Sequence, residues 1–146
     1  AETSNRNGRL LAQLFVWTDQ NEDLGLAFDS DTQFKLPNGA NRSPDAAWVR
    51  REAWDALSDK ERQVFPPLCP DFVVELRSPS DRLKPLQDKM QEYMDNGTRL
   101  GWLINRQDRQ VEIYRAGQSK QVLNFPQNLS GEDILPGFVL DLSKIW

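Results

Sequence analysis

Apolar positions along this chain alternate between a helical and a strand period, and the switches mark its elements. Leu10, Leu11, Leu14, Phe15 and Trp17 recur at helical spacing, which predicts an amphipathic helix over residues 5–20 with Ser4 as N-cap. Leu26-Ala27-Phe28 and the run from Gln33 to Leu36 read as two short strands around the polar turn Asp29-Ser30-Asp31. Pro37-Asn38-Gly39 marks a further turn. A third strand is predicted from Ser43 to Val49, entered through Pro44, with a short helix over residues 51–57 behind it. Residues 58–70 read as a connection rich in charge and proline. Phe72-Val73-Val74-Glu75-Leu76 is the most strand-like run, nearly continuous in apolar residues as a strand buried on both faces requires.

Turn and capping residues, Ser78-Pro79-Ser80-Asp81, precede the next helix, whose first turn suits Pro85 and whose stop is Asn96-Gly97. Residues 100–104 and 110–115 form a predicted hairpin, and residues 121–123 an edge strand. The tail carries Phe138, Leu140 and Leu142 in alternation, a face that can pack on the core. The order of helix, strands, helix and strands is that of an α/β domain.

Length and composition narrow the class. A chain of 146 residues fits a single domain, and its five tryptophans and seven phenylalanines supply a real core. An Ala rather than a Met at position 1 reads as a trimmed start of a longer protein. No apolar run approaches the roughly 20 residues of a membrane span. Cys69 is the only cysteine, so no disulfide can form within the chain, and a reducing, cytoplasmic setting is expected. Histidine is absent altogether, which removes histidine-based nucleophilic mechanisms and histidine-ligated metal sites. Any catalysis must then run on carboxylates, lysine, arginine and a hard cation such as Mg²⁺. With 18 basic against 22 acidic residues the net charge is −4, which argues against autonomous high-affinity DNA binding.

Three residues stand out against that background. Asp45 follows Pro44 at the start of a strand; Glu75 is the one charge inside a buried strand; Lys89 falls within the apolar stripe Leu86, Met90, Tyr93. A carboxylate in a buried strand costs several kcal/mol unless it is paired or binds a cation. Two carboxylates converging from neighbouring strands make a site for a hard divalent ion, and a lysine beside them can position or deprotonate its bound water. Alternation places Glu75 on one strand face with Asp71, Val73 and Arg77.

The segments from Ser43 to Val49 and from Pro70 to Asp81, with Lys89, Tyr93, Asn96-Gly97 and Gly101-Trp102-Leu103-Ile104, resemble a family of bacterial restriction-endonuclease-like proteins. That family lies within the PD-(D/E)XK nuclease superfamily, and the resemblance extends from about Asn5 to the C-terminus. It implies a restriction-endonuclease-like α/β fold, a mixed central β-sheet flanked by α-helices. It implies a DNA endonuclease using Mg²⁺ or Mn²⁺, with Asp45 and Glu75 as metal ligands and Lys89 completing the catalytic set. Arg77 stands where the general pattern has lysine; always protonated, it cannot act as a base and reads as a phosphate contact or ion-pair partner. The N-terminal helix of such folds can contribute a further acid, and Glu2 lies in that region.

Blander readings accompany each residue. Asp45 can be a turn residue, Glu75 a structural ion-pair partner of Arg77 or Lys89, and Lys89 a snorkelling surface lysine. The alternative to an enzyme is therefore a non-catalytic module that keeps the nuclease fold for binding or dimerisation. DNA is the expected partner, with a homodimer suited to cutting two strands.

Overall fold

A computed structural model describes the whole chain, residues 1–146. The first helix, α1 (Glu2–Asp19), buries Leu10, Leu14 and Trp17 along one stripe. It begins earlier than the spacing predicts, so Ser4 lies inside it and caps nothing. The Asn21 side chain closes its far end by donating to the Trp17 carbonyl at 2.8 Å.

A six-stranded mixed sheet forms the middle layer, in the order β1 (Gly25–Asp29), β4 (Ala46–Arg50), β5 (Phe72–Leu76), β6 (Leu100–Asn105), β7 (Gln110–Arg115), β8 (Gln121–Asn124). Only β5 and β6 run parallel, and α4 (Leu83–Asp95) makes the crossover between them, as a parallel pair requires. All five residues of β5 are buried, in accord with its continuous apolar run.

Two predicted features pair differently. β1 does not form a hairpin with β2 (Phe34–Lys35); it pairs with β4, and β2 pairs with β3 (Asn41–Arg42) across the Pro37-Asn38-Gly39 turn. Asp29 accepts a hydrogen bond from the Asp31 amide at 2.9 Å, which turns the chain out of the sheet. The connection after the short helix α2 (Arg51–Asp55) also holds a helical turn, α3 (Asp59–Gln63). Ser58 and Glu61 close it with a reciprocal capping box.

The sheet carries a different apolar layer on each face. Leu10, Leu14 and Trp17 of α1 pack with Trp48, Phe72, Val74 and Trp102, joined by Leu129, Phe138 and Leu140 from the tail. That tail folds as a two-stranded sheet of β9 (Asn128–Ser130) and β10 (Val139–Asp141), so the alternation of Phe138, Leu140 and Leu142 does serve the core. On the other face, Met90 and Tyr93 of α4 pack with Phe34, Ala47, Val73, Leu103 and Tyr114.

Glycine sets how α4 is seated. A Cβ at Gly101 would lie 2.7 Å from the Met90 methyl and 3.3 Å from a Val73 methyl, so the bare backbone of β6 lets this helix approach. Gly97, at φ +117°, ends α4 in a conformation that other residues avoid. The helix is thereby fixed in depth and length, and with it the residue next to Met90, Lys89.

Candidate active site

Strand register brings the two carboxylates together. β4 and β5 are antiparallel with Ala46 opposite Val74 and Ala47 opposite Val73, so one further step sets Asp45 opposite Glu75. Alternation puts both on the face of Ala47 and Val73, the face that α4 covers. The ladder stops there. The Leu76 amide donates instead to Asp45 Oδ2 at 2.7 Å, tying the acid to the end of β5. Pro44 is buried just before it and brings no N–H of its own to satisfy.

Glu75 is only 4% exposed. Tyr93 donates its hydroxyl to Glu75 Oε2 at 3.0 Å, and Lys89 Nζ lies 3.8 Å from the same oxygen. Lys89 and Tyr93 are four residues apart on α4, hence one above the other on the helix face, which is why both reach one carboxylate. Met90 and Leu86 hold that face against the sheet. The Lys89 side chain keeps 38% of its surface exposed, so its ammonium spans the acid and the solvent.

Electrostatics follow from burial. Desolvation first, and the neighbouring Asp45 charge second, push the Glu75 carboxyl from its ordinary 4.5 up to about 7, against the opposing pull of Lys89 and Tyr93. Asp45 is raised as well, chiefly by burial, although the Leu76 amide and Lys89 favour its charged form. The Tyr93 hydroxyl is pushed well above its usual range by burial and by Glu75, so it remains a donor at any working pH. Without a counter-cation, the two carboxylates share their protonation as a coupled pair.

Other residues singled out in the sequence lie elsewhere. Arg77 does sit in an ion pair, with Asp108 at 3.3 Å rather than with Glu75, and it also donates to Asn105 and to the Asp81 carbonyl. The reason is local: β5 ends at Leu76, so alternation no longer binds the next side chain to the Glu75 face. Asp71 is at the opposite end of β5, where it accepts from the Arg50 amide at 2.8 Å. Glu2 points outward, 86% exposed, and lies 3.7 Å from Arg6.

Asn7 and Tyr93 were not legible as site residues in the sequence. Tyr93 passes for core because it shares the α4 stripe. Asn7 occupies the stripe of Leu10, Leu14 and Trp17 at spacings of three, four and three, a polar residue on an apolar face. Its amide lies against Asp45, where it favours the charged carboxylate, and its Oδ1 is buried without a hydrogen-bond partner.

The donor set suits a hard divalent cation. The Leu76 amide holds Asp45 through Oδ2 and the Tyr93 hydroxyl holds Glu75 through Oε2, so both carboxylates are fixed in place side by side. Both carboxyls are raised by burial, and a cation would offset the cost of ionising them. No third acidic, cysteine or histidine side chain joins them. Mg²⁺ tolerates this, since it keeps several waters and needs only one or two carboxylates.

Comparison with known proteins places these residues in context. A family model, Uma2, described as "Putative restriction endonuclease", matches residues 1–143. Among solved structures, the chain is similar to "a putative nuclease belonging to DUF820" from Anabaena variabilis ATCC 29413, with a TM-score of 0.81 at 17% identity. That match covers 99% of this chain and 80% of the other, and at this identity it speaks for the fold. No curated protein matches the sequence. The mixed sheet with flanking helices expected from the sequence is the fold observed. No helix is long and apolar enough to cross a membrane.

Proposed function

The chain belongs to the Uma2 family, and from that premise we propose that it is a divalent-metal-dependent DNA endonuclease whose site is the pair Asp45 and Glu75. One observation carries the reading: two carboxylates from adjacent strands, both raised by burial, converge beneath a lysine. Glu75 and Asp45 would hold Mg²⁺ or Mn²⁺. When bound, the cation supplies charge stabilisation at phosphorus and a more acidic water.

The chain's own residues do the rest. Tyr93 fixes Glu75 by holding Oε2, and the Leu76 amide does the same for Asp45 at Oδ2. Lys89 approaches from α4, half in solvent, where its ammonium can orient a water against a scissile phosphate. Lys89 thereby takes the place left by the arginine at position 77, whose guanidinium is engaged by Asp108. Attack forms the new O–P bond as one ester oxygen departs.

A second reading, a non-catalytic module that binds a partner through the same fold, draws support from the net charge of −4 and from Arg77. Relaxation of supercoiled plasmid separates the two. Metal-stripped protein given Mn²⁺ is expected to nick DNA; Lys89→Ala should slow nicking while keeping Mn²⁺ binding, and Asp45→Asn should lose both. Equal, metal-independent nicking by all three proteins would leave the binding module as the better account.

A further inference from the structure

We propose that the cleft between the first half of α1 and the end of the tail is a docking surface for the phosphate backbone of duplex DNA. The inference rests on the nuclease reading above and deepens it, by naming the surface that would hold the substrate beside the Asp45–Glu75 site. A net charge of −4 weighs against DNA only as an average over the whole surface. Locally the cations are not spread evenly.

Three observations lead to this cleft. First, it is large and basic. An open cleft of about 630 Å³ is lined by Arg6, Arg9 and Lys144, with Glu2 as its only acid. The cleft beside Lys89 shows the contrast, since Arg42 and Lys89 there meet Asp88 and Glu92. Second, the cations are little neutralised. Arg9 donates to the neutral Asn5 side chain at 3.2 Å, and neither Arg9 nor Lys144 forms an ion pair with a carboxylate. Arg6 lies 3.7 Å from Glu2, but Glu2 is so exposed that water screens the pair. Arg106 joins them from the end of β6, where it donates to the main-chain oxygens of Ile145 and Trp146. Desolvation first, and the like charge of Arg6 second, pull its guanidinium below its usual range. Guanidinium groups gathered in this way suit phosphate oxygens, which accept from their planar fork.

Third, the cleft lies at the right end of the sheet. β5 and β6 run parallel with Glu75 opposite Leu103, so Arg106 follows three residues beyond that partner. At about 3.3 Å per residue this is an offset on the order of 10 Å. Duplex DNA carries a charge about every 1.7 Å of its axis, so a duplex presenting one phosphate to Glu75 brings others over that span. The tail and α1 pack on one face of the sheet, and the carboxylates lie on the other, under α4. A duplex crossing the end of the sheet meets both.

The test follows the anisotropy of a labelled duplex of about 20 base pairs across a salt series, in EDTA so that nothing is cut. Wild type is compared with Arg9→Gln/Lys144→Gln and with Lys60→Gln/Arg99→Gln. The second pair removes the same charge from exposed positions beyond the opposite end of the sheet, Arg99 just before β6 and Lys60 on α3. The cleft variant should bind several-fold more weakly at low salt. Its slope of log K against log salt should fall by roughly 2, about one for each phosphate contact removed. The distal variant should keep the wild-type slope, and both should melt with the wild type. Equal slopes in the two variants, or no duplex binding by the wild type, would overturn the proposal. Plasmid nicking with Mn²⁺ separates it from the reading it rests on. Nicking by a cleft variant that keeps wild-type duplex affinity would leave the nuclease standing without this surface. Loss of affinity in the cleft variant alone, with no nicking by any protein, would leave the DNA surface standing without the nuclease.

Discussion

Replacing Glu75 by Gln should stabilise the metal-free protein at alkaline pH while abolishing its metal binding. Gln keeps the size and the acceptor for the Tyr93 hydroxyl but cannot ionise. In the folded chain the Glu75 carboxyl titrates near 7 instead of 4.5, so the native state holds a proton that the unfolded state has already released. Stability from this residue is therefore fully present below about pH 4.5 and is lost as the pH rises through about 7. At 1.36 kcal/mol per pH unit, the interval from 4.5 to about 7 makes the charged form cost about 3 kcal/mol. Glu75 is almost wholly buried, so solvent screening takes little from that figure. Gln is an imperfect copy of a protonated Glu, and a gain of about 2–3 kcal/mol at pH 8 is the expected scale, roughly 5–10 °C in Tm for a chain of this size. Near pH 5 the two proteins should melt within about 2 °C of each other. Thermal melts in EDTA from pH 5 to 8.5 measure this directly. A Glu75→Gln protein that is several kcal/mol less stable than wild type at pH 8 would refute the reasoning, since Glu75 would then anchor a structural ion pair with Lys89.

Three further outcomes follow from the same geometry. Mn²⁺ affinity should rise with pH up to about 7 and then level off, because the Glu75 proton must leave first; calorimetry in two buffers of different ionisation enthalpy should detect its release at pH 6. Tyr93→Phe removes a donor to a buried carboxylate, and should cost about 1.5–3 kcal/mol at pH 8 and less at pH 5, read from urea unfolding at the two pH values. Arg77→Ala should lower stability by about 1–2 kcal/mol through loss of its bonds to Asn105 and Asp108, and leave Mn²⁺ affinity unchanged in the same titration; a large loss of affinity would place Arg77 in the site after all.

The parts of the fold that were legible in the sequence are those where one period dominates. The run from Phe72 to Leu76 was readable as a doubly buried strand, and Lys89 was readable as inward-facing from Leu86, Met90 and Tyr93. Asp45 and Glu75 could be connected because a buried charge demands a partner, and register then brings them opposite each other. Short elements escaped. β3 and β9 span two or three residues each, too few for alternation to register, and β2, expected as a strand, takes β3 as its partner, so the pairing of β1 with β4 could not be foreseen. The Ser58–Glu61 capping box was present as a motif and was outweighed by the surrounding prolines and charge. Arg77 and Asn7 depend on tertiary placement. The first turns away because its strand has ended, and the second matters only once α1 is laid across the start of β4.

Cleavage of supercoiled plasmid by metal-stripped protein, wild type against Glu75→Gln, tests the central claim most directly. With Mn²⁺ or Mg²⁺ restored, the wild type should convert supercoiled DNA to nicked circles, and the variant should leave it intact while melting at or above the wild-type temperature at pH 8. Cleavage by both proteins at the same rate, or by neither under any divalent metal, would contradict the assignment of Asp45 and Glu75 as a nuclease site.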